Sequence, residues 1–305
     1  MIRLMLAVGI AALLLGSPGR TQEAAISKRA EQKGATISTP SPPTAPMAPD
    51  ASGALYVAEA IAVTPETRDA FVDCLRSDAH RHWRSLQQAG LLADVSVFET
   101  WTVREATEGA PGWTIFVLSH LRPRASASAF FGFGGSRQKF STPASCTARA
   151  GVEVRRVEVL QPTPNSSYPK ATLADDAEAV AANVHFVVEY IAVRDTPVSL
   201  DEYRNKMRAN MGAAMGLMIP QKVFFEFLAL ETVSVEFSQP GMPAWNNIHV
   251  RGFYPGKAAP PETDAALRHV NPGGGGSAGF FGSLKAIRTK AREDVTCALF
   301  DLAVR

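Results

Sequence analysis

One pattern of strands and helices occurs twice in this sequence, and the repeat constrains the fold more than any other feature. The stretch "VAEAIAV" at 57–63 returns as "VVEYIAV" at 187–193, with a glutamate, Glu59 or Glu189, at the same position. A run with apolar residues at helical spacing follows each stretch. Each half therefore begins with a buried strand that carries one carboxylate and continues into a helix.

The match continues through further strands in each half. The second predicted strands lie at 94–103 and 221–233, and there Glu99 is matched with Glu226. In the third strands Trp113 precedes Pro123 by ten residues, and Trp245 precedes Pro255 by the same interval. A helical segment and a final alternating stretch close each half. Each half is therefore predicted to be a βαββαβ unit.

Such a unit forms a four-stranded antiparallel sheet with two helices on one face, which leaves the other face uncovered. A second copy of the same sheet can cover that face. We therefore predict an α+β fold in which two tandem ferredoxin-like units pack sheet to sheet as an intramolecular α+β barrel. The predicted units are residues 53–162 and 183–305, joined by a linker at 163–182.

At this level the chain resembles the dimeric α+β barrel superfamily, here as a tandem fusion over roughly residues 55–305. The resemblance rests on topology and on the spacing of the repeat. It implies a monomer, because the second sheet of the barrel is in the same chain. Members of the superfamily include cofactor-independent monooxygenases, haem enzymes, isomerases and proteins with no assigned chemistry.

Alternation along the strands predicts which side chains lie between the two sheets. In the first strand Ala58 and Ala60 are predicted to face the helices, because small side chains let helices approach closely. Glu59 then faces the interior, and the same rule places Glu189 there. The residues Ile248 and Val250 are predicted to contact the helices of the second half.

The third strands differ between the halves. The first half has Ile115, Val117 and Ser119 on one face, and the second half has Asn247, His249 and Arg251. A carboxylate, an imidazole and a guanidinium in an enclosed cavity can perform acid–base chemistry or bind a polar ligand. A hydrogen-bonded polar core is the structural alternative. The candidate ligand-binding residues are Glu59, Glu189, Glu226, Asn247, His249 and Arg251, and no catalytic residue is assigned.

Two functions are compatible with these residues. The first hypothesis is an exported, non-catalytic barrel that binds a small hydrophobic or amphipathic ligand or serves as a structural module. The alternative is an enzyme of the cofactor-independent monooxygenase or isomerase type that uses the polar cluster of the second half. No cofactor and no metal are expected, because the sequence lacks Cys-x-x-Cys and His-Glu-x-x-His motifs. The Gly-rich "NPGGGGSAGFFG" lacks the Lys-Ser/Thr of a phosphate loop and is interpreted as a flexible loop over the barrel mouth.

The N-terminal residues predict export. The stretch "MIRLMLAVGIAALLLGSPGR" has a basic residue, an apolar run and small residues, which together are typical of a secretory signal peptide at 1–19. The apolar run is shorter than the ~20 residues that a membrane-spanning helix needs. Residues 20–52 are rich in Pro and Ser and predict a disordered tether. We therefore expect a periplasmic or extracellular protein without a transmembrane span.

Charge and cysteine content limit the expected partners and the number of disulfides. The 31 basic and 29 acidic residues give a formal net charge of +2, so nucleic acid is not an expected partner. The three cysteines, Cys74, Cys146 and Cys297, permit at most one disulfide. Buried, unpaired core thiols are the favoured interpretation, and one disulfide with a free thiol remains the alternative.

Overall fold

A computed structural model describes residues 53–123, 125–133, 140–168, 184–254 and 259–299, all of which belong to one compact unit, Thr44–Arg305. The predicted signal peptide and tether lie outside the described residues, as does most of the predicted linker. These assignments therefore stay predictions.

Eight antiparallel strands form a closed barrel, with the order β1-β3-β2-β8-β5-β7-β6-β4. Their bounds are β1 Tyr56–Val63, β2 Leu92–Ala106, β3 Ile115–Leu121, β4 Val152–Pro162, β5 His185–Val193, β6 Phe224–Ser238, β7 Asn247–Phe253 and β8 Arg288–Ala298. The first four strands belong to the first half of the chain and the last four to the second half. Two seams join the halves, where β2 pairs with β8 and β4 pairs with β6. The prediction of an α+β barrel is confirmed at this level.

Helices connect the strands of each half. In the first half they are α1 Arg68–Cys74, α2 His80–Gln88, α3 Ala127–Phe131 and α4 Ala144–Thr147. In the second half they are α5 Pro197–Lys206, α6 Ala213–Met218, α7 Ala259–Val270 and α8 Gly276–Leu284. Within the described residues, no helix has the length and apolar character needed to cross a membrane.

A π-helical turn interrupts the first helical segment of each half at the same place, Leu75–Ala79 and Met207–Gly212. Such turns often occur at functional sites. Gly212 is needed for close packing, because a Cβ atom there would lie 2.4 Å from the backbone oxygen of Asn165. The turn of the second half therefore lies tightly against the chain that follows β4.

Side chains fill the barrel interior. The rings of Trp113 and Trp245 lie 5.4 Å apart, and Tyr190 packs edge-on against both. The guanidinium of Arg292 lies 3.8 Å from the centre of the Trp113 ring, and that of Arg156 lies 4.0 Å from the Trp245 ring. Each such desolvated cation–π contact contributes about 2 kcal/mol. Each arginine comes from the half opposite to its tryptophan, so both halves are needed to complete this core.

The structure reverses the predicted faces of the strands. Ala58 and Ala60 contact the interior aromatic cluster, whereas Val57 and Ile61 pack against the helices. Glu59 lies two residues from each of them on the same strand and so faces the helices as well. Alanines on the inner face leave room for the large interior rings, and this packing decides the orientation.

The same reversal applies to the second half. Ile248 and Val250, which were predicted to contact the helices, lie in the interior cluster with Val188 and Tyr190. The polar cluster of the second half therefore lies between the outer face of the sheet and its covering helices, and the prediction that it faces the barrel interior is wrong.

The match between the second strands also needs a correction. Glu99 pairs with Ile115, two residues after Trp113. Glu231 pairs with Asn247, two residues after Trp245. Each accepts hydrogen bonds from an arginine of the first helical segment, Arg68 or Arg204. Glu99 therefore corresponds to Glu231, and its predicted match with Glu226 is wrong. A shift of five residues exchanges the faces of a strand, but consecutive residues are buried at 95–98 and 224–231, so alternation there does not reveal the error.

A disulfide joins Cys74 at the end of α1 to Cys146 in α4, with the Cα atoms 5.6 Å apart. Cys297 is a free, half-buried thiol. The favoured interpretation of three unpaired thiols is therefore wrong. The disulfide fixes α4, and with it the loop before α4, against the long helix of the first half.

Candidate functional site

A polar cluster lies on the outer face of β5 and β7, beneath the helices of the second half. Glu189 and His249 are direct partners across the two strands. Oε2 of Glu189 lies 3.6 Å from Nδ1 of His249, and Oε1 lies 3.2 Å from a terminal nitrogen of Arg251. Nζ of Lys290 on β8 lies 3.3 Å from the same Oε1. The expected proximity of the first three residues is thus observed, while their ligand-binding role stays a prediction.

Tyr203 on α5 fixes the imidazole of the cluster. Its hydroxyl lies 2.7 Å from Nε2 of His249, and both side chains are buried. Because Nδ1 faces a carboxylate, we assign the imidazole proton to Nδ1, so that Nε2 accepts the hydrogen bond from the Tyr203 hydroxyl. The resulting Nδ1–H points towards Glu189 at a distance too long for a strong hydrogen bond.

The charges around Glu189 keep it ionised. Burial alone would raise the pKa of Glu189, but the charge of Arg251, the contact with His249 and the charge of Lys290 hold it well below the usual value. Burial lowers the pKa of His249, against the opposing effect of Glu189. At neutral pH the cluster therefore combines an ionised carboxylate with a neutral imidazole.

Two adjoining cavities contact this cluster. The inner cavity, of about 30 Å³, lies between the cluster and the covering helices. Its wall includes Glu189, His249 and Arg251, together with Met207 and Met211 of the π-helical turn. A water needs about 10–15 Å³ on this measure, so the inner cavity has room for one or two.

The outer cleft is wider, with a volume of about 360 Å³. Its apolar wall is formed mainly by Phe224, Phe253 and Phe281. Its polar groups include Arg104, His185 and Arg251, and the hydroxyl residues Thr263 and Ser277 also line it. Ser277 is the second residue of α8, and residues 276–282 of the Gly-rich stretch belong to this helix. The interpretation of these residues as a flexible loop over the barrel mouth is therefore wrong.

Arg251 lines both cavities. One terminal nitrogen contacts Glu189. Its Nε is buried and, within the part of the chain that the structure describes, has no hydrogen-bond partner. A buried guanidinium N–H without a partner is costly. Because the Arg251 side chain also lines the cleft, its guanidinium is suited to bind an oxyanion there.

The other three predicted site residues lie elsewhere. Glu59 is sealed in the first half, where both its oxygens accept hydrogen bonds from Ser141 and Thr142. Asn247 is fully buried and does not line either cavity among the described residues. The charge of buried Glu226 acts on Tyr56 of the first half, whose pKa is raised mainly by burial.

Several functional candidates did not emerge from the sequence. Tyr203 stands at the helix position that Phe71 occupies in the first half, so the repeat contained a signal for it. No pattern in the sequence indicates Arg104, which comes from the first half, or His185, which is the first residue of β5. No group of three or more His, Cys, Asp or Glu side chains within the described ranges is arranged to hold a metal ion.

Comparisons with known proteins give structural similarity only. No protein-family model and no curated protein sequence matches the chain. A candidate monooxygenase from Lactobacillus acidophilus matches with a TM-score of 0.46 and 9% identity, over 81% of this chain and 93% of that chain. A dye-decolorizing protein from V. cholerae matches with a TM-score of 0.43 and 11% identity, over 86% and 99%. A heme-binding protein from Thermus thermophilus matches with a TM-score of 0.37 and 14% identity, over 82% and 92%. At these values no residue role is transferred.

The hypothesis of a non-catalytic ligand-binding or structural module needs a correction. In this chain the polar cluster adjoins an open cleft of about 360 Å³, which a purely structural role leaves unexplained. The first hypothesis is therefore given up, and the enzyme alternative is carried forward as a proposal that rests on the geometry of this chain.

A haem does not fit the residues of this site. Both ring nitrogens of His249 are directed at protein groups, Tyr203 and Glu189. The space between the cluster and the helices holds only one or two waters. His185, the other imidazole on the cleft, lies flat against the ring of Phe253. No step is therefore assigned to a haem.

Proposed function

We propose that this protein is an exported enzyme that moves a proton on a small organic acid bound in the outer cleft. Abstraction of a proton to form an electron-rich anion is a step that an isomerase and a cofactor-independent monooxygenase share. The observation that carries the proposal is the ionised Glu189 on the wall of a cavity, flanked by the unpaired Nε–H of Arg251 and the Nδ1–H of His249.

Glu189 is the proposed general base. In the free protein Arg251 holds its pKa low, which makes it a weak base. A substrate oxyanion that binds Arg251 competes for the same guanidinium and so weakens its effect on Glu189. Binding thereby raises the basicity of Glu189 at the moment when a proton must be accepted.

His249 and Arg251 stabilise the anion that forms. The neutral imidazole donates its Nδ1–H to the developing oxyanion, and Tyr203 keeps the tautomer and the ring orientation fixed. Arg251 supplies positive charge next to the inner cavity, where water is nearly excluded and the interaction is strong. Lys290 remains near Glu189 and limits the repulsion between the carboxylate and the substrate.

The finer architectural and cellular assignments belong to the same proposal. The strand order within each half, β4-β1-β3-β2 and β8-β5-β7-β6, supports two tandem ferredoxin-like units. The Cys74–Cys146 disulfide supports an oxidising compartment, periplasmic or extracellular, since disulfides are rare in reducing cytosol. A single chain that closes its own barrel supports a monomer.

The test is proton exchange in D₂O, followed by NMR, with phenylpyruvate and pyruvate as probes. We expect the protein to accelerate deuterium incorporation next to the carbonyl of at least one probe. Glu189→Gln should reduce the enzymatic rate by about 10²–10⁴-fold, the range for loss of a general base. No acceleration above buffer with either probe would overturn the proposal.

Glu59→Gln is the matched control. It makes the same chemical change at the corresponding position of the first half, where Ser141 and Thr142 donate hydrogen bonds to both carboxylate oxygens. We expect it to leave the exchange rate unchanged. An equal loss of exchange in both variants would show that stability, not base chemistry, is lost.

A further inference from the structure

We infer that the substrate is a small aromatic carboxylate whose ring lies in the outer cleft and whose carboxylate is held between Arg251 and Arg104. This inference rests on the proposed function and adds to it the substrate class, its orientation and a residue that determines specificity. Arg104 belongs to the first half, so the site would be incomplete without it.

The charges of the outer cleft favour an anion. Among the described residues that line the cleft, two are arginines, one is a histidine and none is acidic. Glu189 is confined to the inner cavity and already contacts both Arg251 and Lys290. The described side chains that line the cleft are therefore cationic or neutral, and Glu189 lies behind them in the inner cavity.

The apolar wall favours a flat ring. The ring centres of Phe224 and Phe253 lie 4.8 Å apart, with the ring planes at 46°. The His185 ring stacks on Phe253, with the ring centres 5.3 Å apart and the planes at 10°. Phe281 closes the same wall. Aromatic faces and edges arranged in this way gain most from a planar aromatic partner.

The size of the cleft limits the ligand. Its volume of about 360 Å³ lies at the lower end of the range of roughly 300–1,000 Å³ that small-molecule sites occupy. A compound with one ring and a short acidic side chain suits this volume, whereas a long lipid chain or an oligomer does not. The carboxylate must also be close enough to the ring to reach Arg251.

Arg104 reaches the cleft across the seam between β2 and β8. Its terminal nitrogen lies 3.3 Å from Oε1 of Glu293, which is also paired with Lys290. Its side chain is 56% exposed, so it lies on the solvent side of the cleft. Arg251 lies at the inner side, and the two guanidiniums can therefore bind one carboxylate from opposite directions.

The experiment measures direct binding by calorimetry with three probes. 3-Phenylpropionate has the ring and the charge and is not activated for proton abstraction. 3-Phenyl-1-propanol has the ring without the charge, and propionate has the charge without the ring. We expect 3-phenylpropionate to bind at least tenfold more tightly than either, as expected when one charge-assisted pair or one buried ring is lost.

Arg104→Met should reduce the affinity for 3-phenylpropionate by about tenfold and leave the affinity for the alcohol unchanged. Arg155→Met is the matched control, because Arg155 is a partly buried arginine of β4 that contacts Gln239 and the Gly112 carbonyl and is not among the described residues that line the cleft. It should change neither affinity. Equal affinities for the acid and the alcohol, or an Arg104→Met protein that binds the acid normally, would overturn the inference.

Glu189→Gln separates this inference from the proposed function. It removes the carboxylate that competes for Arg251, so it should bind 3-phenylpropionate at least as tightly as the parent protein. If the parent protein binds the acid selectively but catalyses no proton exchange, the proposed function fails and the ligand class stands. If it catalyses exchange on pyruvate as well as on phenylpyruvate and shows no preference for the ring, the ligand class fails alone.

Discussion

Glu59 and Glu189 occupy the same position in the two halves but have different surroundings. In the first half a loop closes over the carboxylate, and the backbone and hydroxyl groups of Ser141 and Thr142 satisfy its oxygens. In the second half the carboxylate faces a cavity and is balanced by cationic side chains. The same strand position therefore carries a buried acid in two surroundings, a hydrogen-bonded loop in the first half and the wall of a cavity in the second half.

The residues around the loop explain the closure in the first half. The Ser119 hydroxyl donates a hydrogen bond to the Ser141 hydroxyl at 3.1 Å, and the indole N–H of Trp83 donates to the Ser141 carbonyl. In the second half Arg251 stands at the position of Ser119 and lines both cavities. A small hydroxyl at this position therefore anchors the loop in the first half, whereas a long cation forms part of the cavity walls in the second half.

The largest effect on this comparison should come from the disulfide that anchors the closing loop. We expect the double variant Cys74→Ser/Cys146→Ser to lose about 2–4 kcal/mol of unfolding free energy, because the reduced unfolded chain gains conformational freedom. Urea denaturation measures the loss. Proton exchange in the second half should persist under conditions where the variant remains folded.

Cys297→Ser is the control for the disulfide. Cys297 is unpaired, so this change should alter stability by no more than about 0.5 kcal/mol. Thiol titration of the denatured, unreduced parent protein should find one free thiol. Three free thiols in protein isolated from an oxidising compartment would contradict the pairing.

The next largest effect is on stability, to which Glu59 and Glu189 contribute with opposite pH dependence. Burial raises the pKa of Glu59 in the folded protein, so its folded state holds the proton more strongly than the unfolded state. Its contribution to stability is therefore complete below the ordinary value of 4.5 and declines as the pH rises through the folded pKa. The low pKa of Glu189 has the reverse effect, with a contribution that is present above 4.5 and declines as the pH falls.

Denaturation of the parent protein, Glu59→Gln and Glu189→Gln between pH 3.5 and 7 tests these signs. The stability difference between parent and Glu59→Gln should fall with rising pH, with a slope of at most about 1.4 kcal/mol per pH unit. The difference between parent and Glu189→Gln should rise with pH at the acidic end. Slopes of the same sign for both variants would remove the electrostatic distinction between the two halves.

The smallest effect concerns His185 in the outer cleft. Burial, and after it the charge of Arg104, lower the pKa of His185, so it is neutral at pH 7. A bound carboxylate favours the protonated ring, and affinity for 3-phenylpropionate should therefore increase as the pH falls below 7. The increase should be less than about tenfold, the equivalent of one pKa unit. His185→Gln should flatten this dependence, and an unchanged pH profile in that variant would exclude His185 as its source.

The strand content of the fold could be predicted from the sequence, because the repeated glutamate strands and the tryptophan spacing fix the elements. The orientation of the strands could not. Val57 and Ala58 are both buried, one against helices and one in the barrel, so alternation alone offers no choice between the faces. The outcome depends on the bulk of Trp113 and Trp245, which other strands bring into the interior.

The core of the candidate site was also predictable, since Asn247, His249 and Arg251 replace less polar residues of the first half. The sequence did not reveal which of them reach a cavity. Arg104 joins the site only because the barrel closes through the β2–β8 seam, a long-range pairing that no local pattern encodes. The disulfide likewise joins residues 72 positions apart, and three cysteines allow several pairings.

The crossed arginine–tryptophan contacts in the barrel interior have a consequence for the integrity of the chain. Each half lends an arginine to the tryptophan of the other, and two hydrogen-bonded seams run beside these contacts. A backbone cut between β4 and β5 would therefore leave two fragments that remain associated as a split protein. Either fragment alone would have two unpaired strand edges and an open aromatic surface, the features that drive self-association.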